Sequence, residues 1–378
     1  MSPRSISTSG YDGDSVPAGP VSADAIPADS IPAHPGELVP LEFEGVIRSV
    51  HPGVVNVELP DRSAPVESRY FVSLVTRPRD RTALSVFIDH PHGAGISGKS
   101  VGSRARGTSD GLLVAGLPPL RYVDCEGSAA DRRSRDGRFT GRLLLPPSKV
   151  TAIIAPDLQH ALVGTLLGNP AFRRGLVPLL APADTGGSEE PCVARSRRIL
   201  EPLGDSGATL RDGVPPGLTG GSRQSSSSDP ALLIGLGPGF TPAGDDFIAG
   251  AILAEDLQAA APLPMILNFS AAPRLDRAAL HTALHRTTTG GATILKLALQ
   301  GRPPLFVHTV CDILSRSDLS VEIRARRAAS IAAGFGHSSG LDFLTGFLWW
   351  AGFRRGRYDR RQDDRRQDDR QDDRHDGP

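Results

Sequence analysis

Two hydrophobic patterns divide the chain. From Leu41 to about Leu145, short β-branched runs alternate with polar residues and are punctuated by Gly, Pro and Asp. The clearest runs are Gly45–Val50, Val54–Leu59, Tyr70–Val75 and Leu84–Ile88. They predict a mostly antiparallel β domain over residues 41–150, a barrel or sandwich of about six to eight strands. From Pro156 onward the apolar period becomes helical. Asp157–Leu167, stopped by Gly168-Asn169-Pro170, is the first expected helix. Asp246–Ala260, Asp276–Arg286, Thr293–Gln300, Leu305–Leu314, Val321–Ala333 and Asp342–Gly352 follow. Few charges fall on 245–260 and 342–352, which predicts that these two helices are central.

Three stretches carry neither pattern. Residues 1–38 are rich in Ser, Pro, Asp, Ala and Gly, and residues 353–378 iterate Arg-Gln-Asp-Asp from Arg361 to Asp373. Both are expected to be disordered, because nothing in them could bury a core. Residues 184–229, ending in Ser225–Ser228, are expected to be a flexible linker or insertion. That leaves 156–183 as a short helical segment and 230–352 as a helical domain. The expected fold class is α+β, a β-rich N-terminal domain followed by a mainly helical one, with disordered termini.

Composition narrows the function classes. The 378 residues are only 39% hydrophobic and include 42 Gly and 33 Pro, which suits folded domains diluted by polar segments. Net charge is zero and no basic patch is interleaved with aromatics, so no nucleic-acid partner is expected. Cys125, Cys192 and Cys311 stand far apart, which argues against a structural zinc site or a disulfide framework. No run approaches the roughly 18 apolar residues of a membrane span, and the N-terminus lacks a signal pattern, so a cytoplasmic protein without a membrane partner is expected.

The most informative stretch is Ile234–Phe247. Gly235, Gly237 and Gly239 with Pro238 make a turn of little bulk, so a ligand could approach its backbone. Thr241 is expected to cap the following helix, with Pro242 at its first position. Free N–H groups there would favour an anion, whereas Asp245 and Asp246 would repel one unless a proton, a cation or a substrate N–H intervened. The pattern returns later. Gly244-Asp245-Asp246-Phe247-Ile248-Ala249-Gly250 aligns with Gly340-Leu341-Asp342-Phe343-Leu344-Thr345-Gly346, and Gly334-Phe335-Gly336 precedes the second copy. Two such helix starts could face each other across one pocket, with Asp246 and Asp342 in matching places. Gly93–Ser100 fits the Walker A spacing, but Val101–Thr108 after it has no helical period, so a hairpin loop is the better expectation. No Ser–His–Asp arrangement or activated cysteine is readable.

The Gly-x-Gly-Pro-Gly-x-Thr-Pro-x-x-Asp-Asp block and the Gly-His-Ser-Ser-Gly-x-Asp-x-Leu-x-Gly block resemble the two signatures of a bacterial family, that of the AllH subunit of oxamate carbamoyltransferase. The resemblance spans Ala231 to about Gly352. The family usually has Leu at Phe240 and Thr at Ser338, both mild departures. It implies a subunit of a multi-chain enzyme that handles carbamoyl phosphate and oxamate, or oxalurate and phosphate in reverse. Partner subunits and a small anionic substrate are implied with it, in allantoin and purine catabolism.

The expected site follows from both lines. Asp245, Asp246, Asp342 and His337 are the candidates for chemistry. Gly235, Gly237, Gly239, Thr241, Gly244, Thr288, Thr289, Ser338, Ser339 and Gly340 are the candidates for substrate binding, and Arg286 and Lys296 for charge neutralisation. The hydroxyls could equally serve as helix caps, and His337 could simply pack at a helix entry. No metal ligand set is expected, although three carboxylates leave Mg²⁺ open in place of a substrate amide. A scaffolding subunit whose partners carry the chemistry is a competing expectation, as is a nucleotide-dependent enzyme using Lys99.

Overall fold

The computed structural model describes residues 30–59, 71–89, 96, 101–123, 138–181, 189–205, 229–262 and 274–352. Among the described residues eight strands come first: β1 Ile31–Pro35, β2 Phe43–His51, β3 Val54–Glu58, β4 Phe71–Val75, β5 Ser85–Ile88, β6 Arg104–Thr108, β7 Gly111–Val114 and β8 Leu120–Tyr122. They close into a barrel in the order β1-β5-β4-β3-β2-β6-β7-β8. Pairing is antiparallel except at β4–β5 and β1–β8. An eight-stranded barrel has an interior just wide enough for side chains to fill. Ile47, Val55, Val57, Val72, Leu74, Val86, Ile88, Leu112 and Leu120 fill this one, all fully buried.

The barrel starts earlier than the sequence pattern suggested. Ile31–Pro35, inside the stretch expected to be disordered, pairs with both β5 and β8 and closes the ring. Its buried residues are Ala33 and Pro35, and two prolines in five residues leave no β-branched run to mark the strand. Residues 1–29 and 353–378 lie outside the described residues, as does Gly93–Ser100 apart from the buried Ile96.

Nine α-helices follow: α1 Pro147–Ile153, α2 Pro156–Gly168, α3 Pro191–Asp205, α4 Ala243–Ala259, α5 Arg277–Thr282, α6 Thr289–Leu299, α7 Leu305–Leu314, α8 Val321–Ala333 and α9 Ser339–Ala351, among the described residues. Two of them depart from the expected pattern. α1 begins inside the block expected to be β, and α3 lies in the stretch expected to be a linker. Both start at proline, and α3 is charged and polar on one face, so apolar density did not reveal it. The central pair is α4 and α9, as their low charge predicted. Nearly every residue of Gly244–Ile252 and Gly340–Leu348 is buried. Among the described residues no single helix is long and apolar enough to cross a membrane; α1 and α2 reach that length only across a 47° bend.

The barrel and helices share a seam. Arg302, 6% exposed, donates to the Glu37 carboxylate at 2.5 Å and to the Thr140 carbonyl at 2.7 Å. The backbone N–H of Leu305 donates to Arg81 O at 2.8 Å, and that of Leu143 to Gly301 O at 3.1 Å. Removing the guanidinium orphans a carboxylate and a carbonyl at the seam. Arg302→Ala is therefore expected to lose about 2 kcal/mol of stability, with a melting midpoint lower by roughly 5 °C. An unchanged midpoint would show that the barrel docks without this pair.

Candidate functional site

The first glycine loop wraps the start of α4. Asp229 accepts the N–H of Ala231 at 2.9 Å, which starts a short 3-10 turn at Pro230. Gly235, Gly237 and Gly239 then adopt φ of 78°, 111° and 109°, the left-handed region that a side chain disfavours. The loop folds back so that Gly244 N–H donates to Leu236 O at 2.9 Å. α4 starts one residue later than expected. Pro242 occupies the cap position, and Thr241 makes no capping bond. Its hydroxyl instead lies 3.0 Å from that of Ser339 at the start of α9. The Gly244 N–H is thus spent on the loop and that of Gly235 on the Asp245 carboxylate, rather than left open to an anion.

Asp245 and Asp246 have separate surroundings. Asp245 is fully buried and accepts the Gly235 N–H at 2.8 Å, while its other oxygen accepts the Thr287 hydroxyl. A methyl at Gly291 would collide with this carboxylate, so α6 sits directly against it. Burial pushes the Asp245 carboxyl up to about 6, against those two hydrogen bonds. Thr288 caps α6 by accepting the Gly291 N–H at 3.0 Å and donates to Phe240 O at 2.6 Å. The Thr289 carbonyl accepts the Thr293 hydroxyl at 2.7 Å. This corner latches loop, α4 and α6 together. Arg286 donates to Ala231 O at 3.3 Å in the same corner. Phe240 reaches the barrel, with its ring centroid 4.9 Å from that of Phe71.

Asp246 faces the other way, toward α9. The repeat makes the two helices equivalent at their closest approach. A Cβ on Gly250 would collide with Phe343 O, and one on Gly346 with Phe247 O. That reciprocity puts Asp246 and Asp342 at matched positions, and the negative charge of Asp342 is felt at Asp246. Their hydrogen bonds also correspond in part. The hydroxyls of Ser339 and Thr241 reach Asp246, and that of Ser338 reaches Asp342. Asp342 also accepts the Leu176 N–H at 2.5 Å. Gly175, at φ 60°, leaves no room for a Cβ beside it. On each aspartate the Oδ2 is buried and without a hydrogen-bond partner among the described residues.

Burial is the main reason that both groups resist ionisation. It pushes Asp342 up to about 7, opposed by the Leu176 N–H, the Ser338 hydroxyl and the Arg174 charge. Asp246 is raised well above the usual carboxylate range, first by burial and then by the charge of Asp342. Near neutral pH the pair therefore retains at least one proton. A carboxylic acid beside a carboxylate can donate to a carbonyl oxygen and accept from an N–H, so it complements an amide or carbamoyl group.

Further residues lie around the pair. Arg174 donates to Ala333 O at 2.9 Å. Cys192 of α3 is half-buried near Gly237, and burial with the charge of Asp342 raises its thiol, so it is not an activated nucleophile. His337 is exposed in the turn before α9. Gly340 packs against Ala332 O. The apolar cavity of about 220 Å³ lined by Leu143, Leu145, Ala249 and Leu253 includes neither Asp246 nor Asp342. Among the described residues no group of three or more His, Cys, Asp or Glu is arranged to hold a metal. Arg174, Leu176 and Cys192 carry no motif in the sequence; only Gly175 after two arginines marks a turn there.

Residues 233–351, which contain both signatures, match the family model described as oxamate carbamoyltransferase subunit AllH. The matched stretch runs from the first glycine loop to the end of α9. No curated protein and no solved structure matches the chain.

Proposed function

We propose that this chain is an AllH-like subunit of a carbamoyltransferase acting on carbamoyl phosphate and oxamate, or on oxalurate and phosphate in reverse. The observation that carries this is the buried Asp246–Asp342 pair, each with an unpartnered Oδ2 and each pushed by burial toward its neutral form. A neutral carboxyl of the pair donates to the carbonyl oxygen of the carbamoyl group, and its ionised partner accepts from an amide N–H. In the forward transfer the oxamate nitrogen forms a bond to the carbamoyl carbon and the C–O bond to phosphate breaks. The nitrogen's proton passes to the carboxylate. Positioning and charge stabilisation accelerate this step without a covalent intermediate.

One observation favours a site completed by another chain. The Gly235 and Gly244 N–H groups are already taken by the Asp245 carboxylate and Leu236 O, so the loop offers an anion less than its glycines suggested. The matched family is named as a subunit, and partner subunits in a soluble complex fit that name.

Calorimetric titration of the purified chain with oxamate and with carbamoyl phosphate tests the proposal, repeated with and without Mg²⁺. Saturable binding that weakens by about a hundredfold in Asp246→Asn, with the melting profile retained, is the expected result, since a charged hydrogen-bonding partner contributes roughly 1.5–3 kcal/mol. Binding that ignores Asp246→Asn would remove the pair from the site. Absence of heat with either compound would move the chemistry to a partner subunit.

A further inference from the structure

Beyond the carboxylate pair, two arginines from distant parts of the chain meet the turn that leads into α9. Arg174, from the loop after α2, donates through Nη2 to the carbonyl of Ala333 at 2.9 Å. Arg79, from the 3-10 turn Pro78–Asp80 of the barrel, brings Nη1 to 2.7 Å from where a Cβ on Gly334 would stand. Ala333 and Gly334 are adjacent and end α8. Five residues later α9 begins and carries Asp342, which feels the charge of Arg174.

Capping explains only part of this. One hydrogen bond to Ala333 O suffices to answer the negative end of α8. The Nε of Arg174 is buried and has no hydrogen-bond partner among the described residues. Arg79 is exposed, and the carboxylate of neighbouring Asp80 is bonded at 2.5 Å by Arg77 instead. Buried guanidinium N–H groups are normally satisfied, and a forked pair of donors matches an oxyanion. The glycine at 334 lets the Arg79 guanidinium lie against the turn where a side chain would otherwise stand.

We propose that Arg79 and Arg174 form an oxyanion subsite at the Ala333–Gly334 turn, which holds the phosphate or carboxylate end of the ligand whose amide end meets Asp246 and Asp342. The subsite rests on the amide reading of that pair and deepens it. It moves the anion from the N–H groups of the glycine loops to two guanidiniums. It also gives the barrel, which lies outside the family-matched residues 233–351, a direct part in binding.

The test titrates the full-length chain, calorimetrically, with inorganic phosphate and separately with oxamate. In Arg79→Ala and Arg174→Ala, phosphate affinity is expected to fall at least about tenfold, the loss of one charge-assisted hydrogen bond. Arg79 is exposed, so Arg79→Ala is informative even if Arg174→Ala fails to fold. Asp342→Asn should leave phosphate affinity unchanged or raise it, while weakening oxamate. Phosphate binding that is absent in the wild type, or indifferent to Arg79→Ala, overturns the subsite. Oxamate binding that ignores Asp342→Asn while phosphate binding still depends on Arg79 would instead overturn the amide reading and keep the subsite. A stronger response to phosphate than to oxamate assigns the subsite to the phosphoryl end, and the reverse assigns it to the carboxylate.

Discussion

Alanine at Gly250 is expected to unfold the helical unit. A Cβ there would lie far inside van der Waals contact of Phe343 O and within 2.8 Å of Phe347 N, both backbone atoms of α9. Backbone cannot rotate aside as a side chain does, so α4 and α9 would have to separate. They are the most deeply buried helices of the unit, with Phe247, Ile248, Leu344 and Leu348 sealed at their contact. Overpacking of this kind typically costs about 1–3 kcal/mol where side chains can adjust, and more where they cannot. Against a total stability of roughly 5–15 kcal/mol, a loss above about 4 kcal/mol is expected. Gly346→Ala should do the same, because its Cβ would strike Phe247 O. Gly164 in α2 supplies the contrast. Nothing lies within 4 Å of its Cβ position, so Gly164→Ala should raise stability by about 0.5–1 kcal/mol through helix propensity. Thermal melts followed by far-UV circular dichroism measure all three. A soluble Gly250→Ala protein melting within a few degrees of wild type would mean that the helices do not meet this closely.

The repeat Gly-x-Asp-Phe-aliphatic-small-Gly was legible in the sequence and matched the starts of α4 and α9, while the low charge of both segments placed them at the centre. Its aligned glycines are the crossing point of the two helices, and its aligned aspartates are the carboxylate pair. Leu305–Leu314 and Val321–Ala333 were legible to the residue, because caps and breakers bound them on both sides. Grouping Asp245 with Asp246 was less sound. Adjacent residues on a helix point about 100° apart, so one carboxylate meets the Gly235 loop and Thr287 while the next meets α9. Thr241 was misplaced for a related reason. Capping propensity is local, whereas its hydroxyl is taken by Ser339, 98 positions away. Arg174 and the Leu176 N–H reach the site across similarly long separations from a loop with no signature of its own. Local pattern cannot show such contacts. Strand β1 was hidden by composition, since its buried residues are an alanine and a proline.

Asp342→Asn is expected to separate stability from function, and the sign follows from proton linkage. In the folded chain burial holds the Asp342 carboxyl protonated up to about 7, whereas in the unfolded chain it ionises near its ordinary 3.8. Between those values the native state binds the proton and the unfolded state does not. Stability from this group is therefore fully present below about pH 4 and is lost as pH rises toward 7, at up to roughly 1.4 kcal/mol per pH unit. Asp246 and Asp245 are shifted in the same direction and steepen the loss. An asparagine keeps the oxygen that accepts the Leu176 N–H, and puts an NH2 near Asp246 in place of a repelling carboxylate. The variant should be no more stable than wild type at pH 4 but more stable by about 2 kcal/mol or more at pH 8, with a flatter profile between. It should also lose the acid–carboxylate pairing that an amide ligand needs, so oxamate affinity should fall as thermal stability rises. Urea unfolding of both proteins from pH 4 to 8 measures the first effect, and titration with oxamate the second. Parallel stability profiles for wild type and variant would show that Asp342 is ionised in the folded protein, and the proton-sharing pair would then have to be abandoned.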